Sequence, residues 1–389
     1  MPFRILTLNQ ISPRGLTRLP ASGYEVGSAV ADPDAILLRS AELNDKPIAA
    51  SVRAVGRAGV GVNNIPVAEL SRRGVPVFNT PGANANAVKE LVLAGLFLAA
   101  RNIGPAWLFA RDLSGDDAAI EEAVEAGKKR FVGFELPGRT LGVVGLGAVG
   151  VEVANSALAL GMKVLGYDPQ LTVQRAWQLS SSVEQALSLD DLFARSDAIS
   201  VHVPLNEDTR ALVNGARLGV MRAGGTILNF ARAAIVDEAA VLAALDQGRL
   251  HAYVCDFPKR ALKEHPGVIT LPHLGASTGE AEENCAIMVV EQLRDFLENG
   301  NIRNSVNYPE AILPRVPNTT RLGVANRNVP NMVGQISTCL AAQNINIADL
   351  LNKSRGEYAY TLIDADGMLG AELLARIRAI DGVLSARIL

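Results

Sequence analysis

Short apolar runs alternate along the chain with stretches that have helical period. RILTLN, AILLR, RAVGRAGV and VPVFNT read as strands, separated by segments able to form helices and turns. This pattern predicts an open α/β sheet. After the turn-prone PGANAN, an unbroken periodic stretch predicts one long helix from about Asn86 to Arg111. A second series begins at Gly138: TLGVVG is an apolar strand, VGVEVANSALALG its helix and KVLGYD the next strand. DAISVHVPL, GGTILNFA, LHAYVCD and GVITLPHLG repeat the strand-then-turn motif, and AAVLAALDQG is a helix between two of them. The second series predicts a doubly wound sheet, whose ligand belongs beyond the carboxyl ends of its strands.

Beyond Thr278, STGEAEENCAIMVVEQLRDFLENG predicts a helix that returns the chain to the first domain. NSVNYPEAILPRVPNTT, rich in proline, reads as an extended connector. The tail then shows a strand-helix-strand-strand-helix-strand rhythm, which predicts a ferredoxin-like module of two helices on four antiparallel strands. The expected divisions are a first α/β domain at 1–96, a nucleotide-binding domain at 97–275, the return helix at 276–306, a linker at 307–318 and the small module at 319–389. A module that small has little core, so it is expected to dock or to dimerise.

Composition narrows the function. The 389 residues carry 37 basic and 40 acidic side chains, a net charge of −3, so no strong field favours nucleic acid or a membrane surface. Cys255, Cys285 and Cys339 are too scattered for a disulfide framework or a structural zinc site, so no metal is expected and a reducing, cytoplasmic setting is the natural reading. The start, MPFRILTLNQ, reads as a first strand rather than a signal peptide. Leu91 to Ala100, the longest apolar stretch, is about half the length needed to span a bilayer.

Candidate chemistry begins at TLGVVGLGAVG. Gly145, Gly147 and Gly150 stand in G-x-G-x-x-G order between a strand and a helix. The first glycine permits a tight turn, the second lets backbone approach a pyrophosphate, and the third lets helix pack on strand. Ala148 and Val149 fall in the first helical turn, whose N–H groups face the phosphates. Asp168 ends the next strand, where its carboxylate can accept both ribose hydroxyls and repel a 2′-phosphate; this predicts NAD rather than NADP. The bland alternative is an acidic turn residue before Pro169.

Of the four histidines, His202 lies inside a strand-like run, and His251 and His265 lie in polar segments suited to surface roles. His273 follows ITLP at a strand end, where an imidazole could take a hydroxyl proton while hydride leaves the neighbouring carbon, or could simply cap the strand. Arg232 follows TILNFA at another strand end. It could hold a carboxylate through two parallel bonds, or pair with nearby Asp237 or Glu238.

Four blocks together resemble the D-2-hydroxyacid dehydrogenase family: GRAGVGVNNI at 56–65, GLGAVG at 145–150, NFARAAIVDEAAV at 229–241 and LPHLGAST at 271–278. The tail resembles an ACT regulatory domain, which draws the likeness toward the phosphoglycerate dehydrogenases. The resemblance implies a substrate-binding domain, a Rossmann NAD-binding domain and an ACT-type domain, assembled as a homo-oligomer, dimer or tetramer. It implies Arg232 as the carboxylate-binding arginine and His273 as the acid/base. Arg39, Ser40, Val60, Gly61, Val62 and Asn84 match substrate-binding positions. Pro204, Asn229, Ala231 and Gly275 match cofactor-lining ones. The implied reaction is oxidation of 3-phospho-D-glycerate to 3-phosphooxypyruvate, opening the phosphorylated route to serine, with a small anionic 2-hydroxyacid as the partner. Arg39 and the cluster Lys128-Lys129-Arg130 favour a phosphorylated acid, although those three also suit a solvated helix end. Glycerate- or lactate-type acids are the competing substrates, and a non-catalytic NAD-sensing scaffold is the competing class.

One departure stands out. The family's D-V-F-x-x-E-P block carries a glutamate that orients the histidine, but this chain reads Cys255-Asp256-Phe257-Pro258-Lys259-Arg260-Ala261. Arg260 occupies the glutamate position with Lys259 beside it, and Glu264 is the one acid in the loop that could reach back. The tail also departs from serine-binding ACT domains. Asn326 stands for a histidine and Asn331 for a glycine, while Asn328 and Asn346 match, so a weakened or absent serine response is expected.

Overall fold

The computed structural model describes residues 2–389. Strands β1 (Phe3–Leu8), β2 (Tyr24–Gly27), β3 (Ala35–Leu38), β4 (Ala54–Arg57) and β5 (Val77–Phe78) form a parallel sheet in the order β2-β1-β3-β4-β5. AILL of β3 is buried at every position, as expected for a parallel strand covered on both faces. The sequence pattern missed β2, because YEVG is short and mostly not fully buried.

A second parallel sheet contains β6 (Thr140–Val144), β7 (Lys163–Tyr167), β8 (Glu184–Gln185), β9 (Ala198–Val201), β10 (Gly225–Asn229), β11 (Leu250–Cys255) and β12 (Val268–Thr270). Its order is β12-β11-β10-β9-β6-β7-β8, so the winding direction reverses between β6 and β9. The third sheet is antiparallel, β14 (Ile347–Arg355), β15 (Tyr358–Asp366), β13 (Thr319–Arg327) and β16 (Val383–Ile388), in the order β14-β15-β13-β16. With the helices Met332–Ala341 and Ala371–Arg378 it makes the expected ferredoxin-like, ACT-type module.

The chain divides into two compact units, one of residues 1–83 with 282–389 and one of residues 84–281. These divisions differ from the 96/97 and 275/276 boundaries read from the pattern, and packing explains the first difference. The helix Ala85–Ala100 buries Val88, Val92 and Leu96 in one core with Leu141, Val143, Val151 and Leu228, so it belongs with the nucleotide-binding sheet. In the other unit the return helix, Gly279–Asn299, packs Val289, Val290, Leu293 and Phe296 against Ile5, Leu37, Ala54 and Phe78.

The long helix expected over Asn86–Arg111 is two helices, Ala85–Ala100 and Ile103–Arg111, bent by 68°. The break has a local cause. Phe134 donates its N–H to the Ala100 carbonyl at 2.8 Å, and Asn102 turns left-handed at φ 49°. No single helix among the described residues is long and apolar enough to cross a membrane, although this bent pair passes by length and composition together.

The ACT-type sheet is covered on both faces. One face carries its own core, with Leu322, Val324, Ile336, Leu340, Ile363 and Ile377. On the other, Ala325, Tyr360 and Leu362 join Phe296, Leu297 and Ile302 in the core of the first sheet. The module thus has a core of its own and also docks, as its small size led us to expect, by sharing the core of the first sheet. A fully buried ion pair pins the junction: Arg321 donates to both Asp364 carboxylate oxygens, Nε–Oδ1 at 2.6 Å and Nη2–Oδ2 at 2.7 Å. Its remaining donors satisfy the Asn299 carbonyl at 3.1 Å and the Leu313 carbonyl at 2.8 Å.

Candidate active site

The turn after β6 is built as its glycines require. Gly145 has φ 89°, and a Cβ there would lie 2.9 Å from the His202 carbonyl group. A Cβ at Gly150 would lie 1.9 Å from the Gly145 oxygen, so nothing but glycine lets the helix Ala148–Ala159 seat on the strand. A Cβ at Gly147 would meet nothing within 4 Å, and no side chain caps that helix. The N–H groups of its first turn, including Ala148 and Val149, thus open onto free space suited to a pyrophosphate. Asp168 is held at the tip of β7 by the Leu146 and Gln170 N–H groups, each at 2.8 Å on a different carboxylate oxygen. Each oxygen keeps acceptor capacity for a ribose hydroxyl. These residues fit a dinucleotide.

The carboxyl tips of β10, β11 and β12 carry the second constellation. Asn229 is fully buried and spends its side chain on the loop after β10, accepting from Ala231 N–H at 3.1 Å and donating to the Arg232 carbonyl at 3.0 Å. It therefore shapes the loop that carries Arg232. The Arg232 guanidinium is exposed and bonds only to the Ala231 carbonyl, at 2.6 Å. Its two suggested acidic partners are committed elsewhere: Asp237 caps the helix Glu238–Asp246, and Glu238 pairs with Lys259 at 2.7 Å.

His273 is exposed, in a left-handed turn at φ 51°, with its N–H bonded to the Asp256 carbonyl at 3.0 Å. The other three histidines have ring-nitrogen partners: Ser200 for His202, the Ala99 carbonyl for His251 and Asp246 for His265. The His273 ring nitrogens have none among the described residues, and its ring packs edge-on against Phe257 at 5.4 Å. None of the residues at or near the missing glutamate replaces it. Arg260 pairs with Glu264 at 3.4 Å, out in solvent, and Lys259 is held by Glu238. An aromatic edge, rather than a carboxylate relay, braces the imidazole.

Sequence reasoning did not assign Asp256, which follows β11 and is 1% exposed. Its Oδ2 accepts the Gly275 N–H at 3.1 Å, while Oδ1 is buried with no partner among the described residues. Burial holds its pKa above the ordinary carboxylate value, and the Gly275 bond and the positive fields of His273 and Arg232 offset only part of that rise. The available signal was its position: an acid directly after an apolar strand whose neighbouring strands end in Arg232 and His273. Pro204, exposed beyond β9, presents its carbonyl to Thr209. Asn84 caps the helix Ala85–Ala100 without a side-chain bond.

In the other unit, Arg39 ends the β3 region and pairs with Glu282 at 2.7 Å, beside exposed Ser40. Arg57, at the end of β4, was not singled out from sequence, yet its Nε donates to the Arg39 carbonyl at 2.9 Å and so sets that backbone. Val60, Gly61 and Val62 form the following loop, with the Val60 carbonyl held by Asn79 at 2.6 Å. The Lys128-Lys129-Arg130 cluster is partly spent: Lys128 pairs with Glu125, and Arg130 stacks on Phe109 and Phe131. In the ACT-type module Asn326 is fully buried, and Asn346 bonds to Asp366 at 2.8 Å.

His202 gives a pH expectation. Burial holds its pKa down at about 4, against 6.5 for a free imidazole. Both states are neutral above about 6.5, and below it the unfolded chain takes up a proton that the folded chain refuses. Unfolding free energy is therefore expected to fall by roughly 3 kcal/mol as pH drops from about 6.5 to 4, and His202→Asn should flatten that slope. Urea unfolding across this range checks it; an equally steep slope in the variant rules it out.

A family description reading "D-isomer specific 2-hydroxyacid dehydrogenase, NAD binding domain" matches residues 104–275. Over 381 residues the chain is 32% identical to the D-3-phosphoglycerate dehydrogenase of Haemophilus influenzae, covering 94% of this chain and 89% of that enzyme. The chain belongs to the D-isomer-specific 2-hydroxyacid dehydrogenase family. Membership makes the chain an NAD-using oxidoreductase, with its NAD-binding domain in the matched segment. The enzyme of the same name from Synechocystis is 33% identical over 383 residues, and this chain spans 65% of its length. Among solved structures, the fold matches the D-mandelate dehydrogenase of Rhodotorula graminis (TM-score 0.67, 24% identity, 81% of this chain and 100% of that one). It also matches the NAD+-bound 3-phosphoglycerate dehydrogenase of Entamoeba histolytica (TM-score 0.60, 24% identity, 79% and 99%).

Proposed function

We propose that this chain oxidises 3-phospho-D-glycerate to 3-phosphooxypyruvate, with NAD as the acceptor. The observation that carries the chemistry is an exposed guanidinium with no carboxylate partner, Arg232, and an imidazole with no ring-nitrogen partner, His273, on the strand tips either side of the buried Asp256. Arg232 binds the substrate carboxylate as a planar fork and draws electrons from the adjacent carbon. His273 takes the C2 hydroxyl proton as hydride leaves that carbon. Asp256, whose carboxylate feels both cations, favours the imidazolium that forms. NAD, when bound at Gly145–Gly150, supplies the hydride acceptor.

The phosphorylated substrate rests on the relatives. Relatives named D-3-phosphoglycerate dehydrogenase align over 94% of the chain, ACT-type module included. Arg39, Ser40 and the Val60–Val62 loop, with Asn84, are assigned to substrate, and Asp168, Pro204, Ala231 and Gly275 to the cofactor. Homo-oligomers are assigned to the helix Ile103–Arg111, where Ile103, Trp107 and Leu108 are 43%, 57% and 55% exposed, an apolar surface that a second copy would cover. The three free cysteines suit a reducing, cytoplasmic setting.

Initial rates with 3-phosphoglycerate, glycerate and D-lactate, each with NAD and NADP, test this reading. Phosphoglycerate with NAD is expected to be fastest by a wide margin. Faster oxidation of glycerate or lactate moves the assignment to those acids, and equal use of NADP removes the role given to Asp168.

A further inference from the structure

A cavity of about 730 Å³ lies within the first unit, where the segments Ala50–Arg53 and Arg73–Val75 face β16 and the helix Ala371–Arg378. It is separate from every residue assigned above to substrate or cofactor. Its size falls in the range of small-molecule sites.

Four arginines line it: Arg53, Arg73, Arg378 and Arg387. Two are neutralised, Arg53 by Asp34 at 3.2 Å and Arg73 by Glu69 at 3.5 Å. The other two have no carboxylate within 4 Å among the described residues. Arg378 directs Nε and Nη2 at one carbonyl, that of Ala386, at 3.0 and 2.7 Å. Arg387 stacks 3.9 Å from the Phe296 ring centroid and donates to the Phe296 and Leu297 carbonyls. Burial disfavours the Arg387 charge, and nearby Arg53 adds to the penalty, while Tyr360 and Asp34 offset part of it. The Tyr360 hydroxyl, 3% exposed and on the same cavity wall, has no well-aligned hydrogen-bond partner. Two of the four cations on the pocket wall therefore lack a carboxylate of their own, and with the Tyr360 hydroxyl beside Arg387 they present a cluster of donors suited to an anion. Val52, Val75, Leu384 and Ile388 supply apolar wall beside it.

We propose that this cavity is a binding site for a small oxyanion, a carboxylate or phosphate on a short carbon skeleton, held by Arg378 and Arg387 with Tyr360 as a further donor. The ligand bridges the first sheet's flank and the ACT-type module, so its occupancy tightens their seating.

The test is calorimetric titration of the full-length protein with inorganic phosphate and with citrate. It is done in an Arg39→Gln, Arg232→Gln background, so that both arginines assigned to substrate are already gone. One saturable site is expected, weakened at least about ten-fold by adding Arg378→Gln or Arg387→Gln, since a charge-assisted hydrogen bond is lost. Arg378 sits on an exposed helix flank, so its variant is the one chosen to fold normally, and circular dichroism verifies that it does. Phosphate or citrate should also raise the thermal midpoint of the Arg39→Gln, Arg232→Gln protein and fail to do so once Arg378→Gln is added. Absence of saturable binding by both anions overturns the proposal, as do isotherms that neither arginine substitution changes.

Discussion

Replacing His273 with asparagine is expected to cut turnover by about 10²–10⁴-fold while leaving NAD affinity unchanged. Asparagine is the appropriate replacement because position 273 has φ 51°, which asparagine tolerates and alanine does not tolerate well. The backbone bond from residue 273 to the Asp256 carbonyl can therefore persist, and what disappears is the proton acceptor. The glycine turn lies at the tip of a different strand, β6, and has no need of the imidazole. Turnover and fluorescence-monitored NADH binding, measured on the same preparation, separate the two effects. Turnover near that of the unmodified protein, under conditions where chemistry limits the rate, would falsify the assignment.

Breaking the Arg321–Asp364 pair is expected to cost about 3–5 kcal/mol of stability, because either single deletion strands a buried charge. Burial alone would push the Asp364 carboxyl up, but the Arg321 guanidinium and the Val316 N–H outweigh it and hold the group below its ordinary value. Arg321→Ala leaves that carboxylate without its fork and also abandons the Asn299 and Leu313 carbonyls. Asp364→Leu combined with Arg321→Met should recover much of the loss, since apolar replacement of both charges removes the stranded one. Calorimetry on the two single variants and the double variant reads this directly. Single variants that melt with the unmodified protein would show the pair to be energetically idle.

The parts of the site that were legible in the sequence are those whose chemistry dictates local backbone geometry. Gly145, Gly147 and Gly150 could be read because each answers a steric demand within a few residues. Arg232 and His273 could be placed at strand tips because apolar runs end immediately before them. Asp256 escaped because its importance comes from what lies above it in space, on two other strands, and a single acid after VC has no periodic signature. The bend at Arg101–Asn102 escaped for a similar reason. The carbonyl that ends the first helix is taken by Phe134, a partner far along the chain, while local propensity favours continuation. The sequence showed that the orienting glutamate was missing, but only the structure shows that Phe257, and neither Glu264 nor Lys259, stands against the imidazole.

The core shared between the ACT-type sheet and the return helix has a practical consequence for anyone shortening or recombining this gene. A chain stopped at Asn318 would uncover Phe296, Leu297 and Ile302 and strip the Asn299 and Leu313 carbonyls of their donor. A module expressed alone from Thr319 would present Ala325, Tyr360 and Leu362 to water along with an Asp364–Arg321 pair half out of its pocket. Both fragments would be adhesive. The natural seam for grafting a different terminal module therefore lies in side chains rather than at a position in the chain: a donor must bring its own apolar patch opposite Phe296 and a cation opposite the Asn299 carbonyl, wherever its linker happens to begin.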